Sequence, residues 1–145
     1  MKNLINLFLT AILIVACSSS DNVVQNETPI EGKWELTKME AQRTRTEITK
    51  EDIPYEEFYV FNSDGSFTKT RITNDEVESA SGRYTKENTN DWKHLKLVYS
   101  EDSQLIDNCT GEAVEHLAIE QNELKGGSAP CDGPALYYSP VNNKD

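Results

Sequence analysis

The sequence predicts an all-β domain, a small antiparallel barrel or sandwich, behind a short apolar leader. Two observations predict it, and a third bounds the partners. Over residues 30–141 apolar and polar residues alternate in short segments set apart by turn residues, and no apolar stripe of 3.6-residue spacing is sustained. That stretch holds most of a 145-residue chain, room for one small domain with a thin core. Finally, 25 Asp and Glu against 14 Lys and Arg give a formal charge of −11. A surface this acidic argues against nucleic acid and anionic lipid as partners, because neutralising phosphates needs a surplus of Lys and Arg.

In chain order, Lys2 precedes residues 4–16, an apolar run broken only by Asn6 and Thr10. As a helix such a run rises about 20 Å, short of the roughly 30 Å hydrocarbon core, so it reads as a secretory signal and not a span. It closes on Ile14-Val15-Ala16-Cys17, which resembles the lipobox of bacterial lipoproteins. The resemblance implies cleavage after residue 16, lipidation of Cys17 and attachment to a membrane through acyl chains such as palmitate. Ser18 is not the aspartate that marks inner-membrane retention, which points to the outer membrane, with the side it faces left open. Residues 18–29 are polar and aperiodic, a flexible tether reaching about 20 Å. Loss of residues 1–16, whose sole charged side chain is Lys2, takes the formal charge from −11 to −12. The expected organisation is a signal peptide over 1–16, a lipidated tether over 17–29, a barrel domain over 30–141 and a tail over 142–145.

Within the domain the candidate strands are 33–41, 57–62, 66–73, 78–86, 93–100, 105–108, 113–120 and 135–141, a set that suits a small antiparallel barrel. Leu95, Leu97 and Tyr99 around Lys96, and Leu117 and Ile119 around Ala118, show the clearest phasing, with one dry face and one wet. In Asn62-Ser63-Asp64-Gly65-Ser66 a three-residue loop puts Gly65 where positive φ is needed and sets Phe61 opposite Phe67. A calcium loop in the same register would need Val60 and Arg71 as side-chain ligands, and neither can serve. Phe58-Tyr59-Val60-Phe61 is apolar on both faces. Something must cover the second face: Pro54-Tyr55 folded back as a flap, or else a ligand or partner.

Gly32-Lys33-Trp34 resembles the Gly-x-Trp signature of lipocalins, in which the indole plugs the closed end of the barrel. Phe61-Asn62-Ser63-Asp64-Gly65-Ser66-Phe67, then Gly82-Arg83-Tyr84, and finally Asp132-Gly133-Pro134-Ala135-Leu136-Tyr137-Tyr138 follow at the spacing of small lipocalin-like domains in bacterial lipoproteins, especially of Bacteroidetes. The resemblance spans nearly all of 30–141 and implies an eight-stranded antiparallel lipocalin-like (calycin) barrel. Its candidate core or pocket lining is Trp34, Leu36, Tyr59, Phe61, Phe67, Tyr84, Leu95, Leu97, Tyr99, Leu117, Ile119 and Tyr138. Two features depart from the pattern. The closing strand offers no arginine to stack on the tryptophan, so something else must hold Trp34. The domain is also short, so side chains can fill the interior.

With Cys17 lipidated, Cys109 and Cys131 remain as a pair in an oxidising compartment. A disulfide closing about 22 residues would stabilise by roughly 3.4 kcal/mol. The alternative, a reactive or metal-bound thiol, needs a ligand cluster that the spacing of His94 and His116 does not give. Both histidines read as solvated. So do the acidic runs Glu51-Asp52, Glu56-Glu57, Asp75-Glu76 with Glu78, and Glu101-Asp102, placed mostly in connections. No Ser-His-Asp order, glycine-rich phosphate loop or His-x-x-x-His pair occurs, so the sequence argues against an enzyme and implies no cofactor or metal.

Two functions follow. One is a membrane-anchored binding lipoprotein that holds a small hydrophobic molecule or lipid. The other is a protein-interaction module of the cell envelope, an inhibitor or accessory subunit, with a filled barrel and no ligand. In architecture the latter resembles small disulfide-containing barrel lipoproteins that inhibit lysozyme, and a charge of −12 would steer it toward a basic partner. An enclosed apolar cavity of about 300 Å³ or more marks the first, a filled barrel the second.

Overall fold

The computed structural model describes residues 29–89 and 92–142; the leader, Cys17 and most of the tether lie outside the described residues. The strands are β1 (Gly32–Ala41), β2 (Thr46–Thr49), β3 (Glu56–Phe61), β4 (Ser66–Thr73), β5 (Glu76–Thr89), β6 (Trp92–Tyr99), β7 (Val114–Glu120), β8 (Glu123–Gly127) and β9 (Pro134–Pro140), with 3₁₀ turns at Lys50–Asp52 and Ala129–Cys131. β3 to β9 pair in sequence order, and β1 pairs with both β3 and β9. β1 and β3–β9 therefore close an eight-stranded antiparallel barrel, to which β2 is added at the far end of β1.

A bulge at Thr37 explains how one strand serves three partners. Opposite β9 the register shifts between Leu36 and Lys38, and the Thr37 hydroxyl bonds the Tyr137 carbonyl and pairs with the Ser139 hydroxyl. The extra residue bends the strand and inverts its facing. Trp34 and Leu36 point inward before the bulge, and Met39 packs against the core after it. β1 leaves β3 after Glu35 and meets β2 from Lys38 onward.

The dry face is the inside. Trp34, Leu36, Tyr59, Phe61, Phe67, Leu95, Leu97, Tyr99, Leu117 and Tyr138 are all buried in one cluster, with Tyr84 and Ile119 packed against it. Each fully buried large apolar side chain contributes about 1.5–3 kcal/mol. The indole of Trp34 is 1% exposed, and its Nε1 donates to the Ile30 carbonyl at 2.8 Å. Burial and this bond hold the ring where lipocalins commonly use an arginine. In the β3–β4 hairpin Gly65 has φ of 81°, Asn62 N donates to the Ser66 carbonyl, and Phe61 faces Phe67 with ring centroids 6.2 Å apart. Gly82 permits a close approach: a Cβ there would lie 2.0 Å from the Val98 carbonyl oxygen and 2.9 Å from the Phe67 ring.

The structure corrects two strand expectations. Residues 105–108 form a loop, because the Leu105 carbonyl receives Lys69 Nζ and the Asn108 side chain takes up the backbone of Thr110, Gly111, Glu112 and Val114. The eighth wall strand is β8, joined to β7 by Gln121 and Asn122 at φ of 44° and 70°, the left-handed pair of a tight hairpin turn. The expected cover on the outer face of Phe58 is also redrawn. Tyr55 packs against the core, with Arg71 4.4 Å over its ring and its hydroxyl toward Met39 Sδ, while Phe58 is left lining a groove beside it.

Candidate functional site

Inward pairs across β3 and β4 run Phe61–Phe67, Tyr59–Lys69 and Glu57–Arg71, so the barrel passes from aromatic to charged along two strands. Lys69 is fully buried, with Glu57 and Glu115 at 2% and 1% exposure. Lys69 Nζ donates to the Leu105 carbonyl at 2.6 Å, to Asp107 at 2.9 Å and to Glu115 at 3.1 Å, and lies 3.5 Å from Glu57. Arg71 donates to Glu57 at 2.6 Å. The hydroxyls of Tyr59 and Tyr99 both donate to Glu115 Oε2, and that of Tyr138 donates to Glu57 Oε1. Burial opposes the charge on Lys69, but Glu115, Glu57 and Asp107 outweigh it and lift its pKa above the ordinary lysine value. Burial first, then the nearby carboxylates, pushes Tyr59, Tyr99 and Tyr138 far above the usual phenol range.

Among the described residues no buried side-chain donor or acceptor of this cluster lacks a partner, so the cluster braces the lumen. Sequence reasoning set Glu57 at the start of a strand but read it with Glu56 as a solvated acidic run, and it passed over Lys69 and Glu115. Yet each stands two residues from an inward aromatic or aliphatic side chain, at Tyr59, Phe67 and Leu117 respectively. Strand parity was the available signal.

The larger depressions lie elsewhere. One of about 460 Å³ lies on the outer wall of β6–β9, against the loop carrying the Cys109–Cys131 disulfide. Its lining is mostly apolar, including Val114, Ala118, Pro130 and Ala135, with Trp92 at 48% exposure. Trp92 stacks on His94 at 4.2 Å, His94 Nε2 is 3.2 Å from Glu87, and the His116 ring is 5.3 Å away. His116 is exposed, but His94 is 5% exposed, which corrects the expectation of a solvated side chain. Tight packing under the indole buries it, and its Nδ1 has no hydrogen-bond partner among the described residues. A second groove of about 390 Å³ is lined by Glu35, Phe58 and Ile72 on the outer faces of β1, β3 and β4, by Ile53, Pro54 and Tyr55, and by the inward-facing Leu36 and Glu57.

Among the described residues no group of three or more His, Cys, Asp or Glu is arranged to hold a metal ion, and no helix is long and apolar enough to cross a membrane. Comparison with family models, with curated proteins and with solved structures finds no match to this chain. The class is thus set by architecture alone: an all-β protein whose closed eight-stranded antiparallel barrel is consistent with a lipocalin-like fold.

Proposed function

We propose that this is a lipocalin-like lipoprotein, anchored at Cys17 to the outer membrane of a bacterial envelope, whose barrel binds a protein partner through its outside and carries out no catalysis. The filled lumen is the observation that supports this. Trp34, Tyr59, Phe61, Phe67, Tyr138 and the Lys69 cluster occupy the axis where a carrier would hold its cargo. A charge of −12 on the mature chain favours a basic partner and raises its rate of encounter. The role is then that of an inhibitor or accessory subunit. Native mass spectrometry of protein purified from its host tests it. An unliganded mass is expected, and a small molecule retained until solvent extraction, with NMR shifts at Leu95 or Tyr138, would overturn it. The anchor rests on the Ile14-Val15-Ala16-Cys17 motif; labelled palmitate should enter the wild type and not Cys17→Ala.

A second reading, a small hydrophobic molecule or lipid, is favoured by the 460 Å³ groove beside Trp92. Its volume and apolar lining fall in the range of ligand pockets. Titration with a fatty acid should shift Trp92 fluorescence to the blue over the constant signal of buried Trp34, and Trp92→Phe should abolish the shift. An unchanged spectrum removes this reading.

A further inference from the structure

The groove of about 390 Å³ has a different chemistry from the one beside Trp92. The register sets its outer-face residues and their neighbours Thr70 and Val77, which lie beyond the lining, in two rows, Glu35, Phe58 and Thr70 in one and Glu56, Ile72 and Val77 in the next. Phe58, Ile72 and Val77 therefore make an apolar strip across three strands, and Val77 is 63% exposed. Four carboxylates, Glu35, Glu56, Glu57 and Asp75, line the groove against one lysine, Lys50. Glu57 is committed to Arg71, and Glu35 is held by Lys33 and Lys50, each at 2.7 Å. Glu56 and Asp75 are exposed beside the strip.

The chain itself shows how this surface receives a cation. Lys33 Nζ sits 4.1 Å over the Phe58 ring while bonded to Glu35, so one ammonium is taken by an aromatic face and a carboxylate together. We propose that the groove docks a cationic amphipathic segment of a partner protein, with aliphatic side chains over Ile72 and Val77 and lysines or arginines on Glu56 and Asp75. This rests on the reading that the barrel binds protein through its outside, and it names the surface and the recognition chemistry. Charge complementarity carries the choice of occupant. An acidic segment would be repelled by the exposed carboxylates of Glu56 and Asp75, whereas a basic one gains charge-assisted hydrogen bonds and buries the strip.

The test uses the whole mature chain and a synthetic amphipathic Lys/Leu peptide followed by fluorescence anisotropy, with a Gln/Leu peptide of the same apolar pattern as reference. Glu56→Gln/Asp75→Asn should weaken Lys/Leu binding by about tenfold, as expected for the loss of two charge-assisted contacts. Val77→Ser should weaken it by about threefold through lost apolar contact. Glu112→Gln/Glu120→Gln removes the same charge at the other groove and should change binding by less than about twofold, since only long-range attraction is lost. Equal weakening by the two double variants, no weakening by either, or no binding of the Lys/Leu peptide would each overturn the proposal. Any of these leaves the exterior-binding reading to stand or fall on the native mass of the purified protein.

Discussion

Replacing Lys69 with methionine keeps the length of the buried stem and deletes the charge at the centre of the barrel. The wild-type cluster sets two cations, Lys69 and Arg71, against three carboxylates, Glu57, Glu115 and Asp107. The variant leaves one cation for three and strips the Leu105 carbonyl of its donor. Breaking a buried ion pair from one side costs about 3–5 kcal/mol, because the remaining charge stays out of water without compensation. Against a total stability of about 5–15 kcal/mol this is a large share. At about 4 °C per kcal/mol for a domain of this size, thermal unfolding followed by circular dichroism should fall by about 12–20 °C. The second arm is Lys69→Met/Glu115→Gln, in which one anion is also removed and the Tyr59 and Tyr99 hydroxyls keep an acceptor. The double variant should be less destabilised than the sum of the singles by about 1–3 kcal/mol. A loss below about 1 kcal/mol for Lys69→Met, or strict additivity, would refute the view that these charges hold one another in the lumen.

Three further outcomes follow from the same geometry. Tyr59, Tyr99, Tyr138 and Lys69 all have pKa values raised in the folded chain, so their contribution is intact below about pH 10 and is lost as the pH climbs beyond it toward the folded values, by up to about 1.4 kcal/mol per unit per group. Tyrosinate absorbance from the three buried phenols should therefore appear together with the loss of circular dichroism, and their ionisation in a still-folded chain would contradict the burial described. Reduction, or Cys109→Ser/Cys131→Ser, should cost about 3.4 kcal/mol in urea denaturation, from a bond joining residues separated by 22 positions. Gly82→Ala would force a Cβ to within 2.0 Å of the Val98 carbonyl oxygen and 2.8 Å of Tyr99 Cα. Both are backbone atoms that cannot turn aside, so a loss of about 3 kcal/mol or more is expected by the same assay, and a neutral result would place that contact wrongly.

Alternation in Leu95, Leu97 and Tyr99, and the turn at Asn62-Ser63-Asp64-Gly65-Ser66, were enough to phase β6 and to register β3 on β4. β8 was illegible for a physical reason. Its inward positions are Leu124 and Gly126, and a Cβ on Gly126 would lie 2.4 Å from Leu117 Cδ2, so packing demands a small residue where alternation expects a bulky one. Leu105 and Ile106 misled in the opposite sense: Leu105 is 1% exposed, yet it belongs to a loop whose carbonyl is satisfied by a side chain from β4. His94 was misjudged because exposure on the outer wall depends on what lies over it, and Trp92 lies over it.

The sequence by itself determined an all-β chain with a barrel-like pattern of strands, the cysteine pair open to bonding, and the inward phase of the aromatic residues, because side-chain period and turn chemistry act locally. Only the tertiary structure decided that the lumen is filled and partly ionic. Glu57, Lys69 and Glu115 are each unfavourable inside when taken alone, and they become tolerable only when the barrel sets β7 across from the β3–β4 hairpin so that each charge finds its counter-charge out of water.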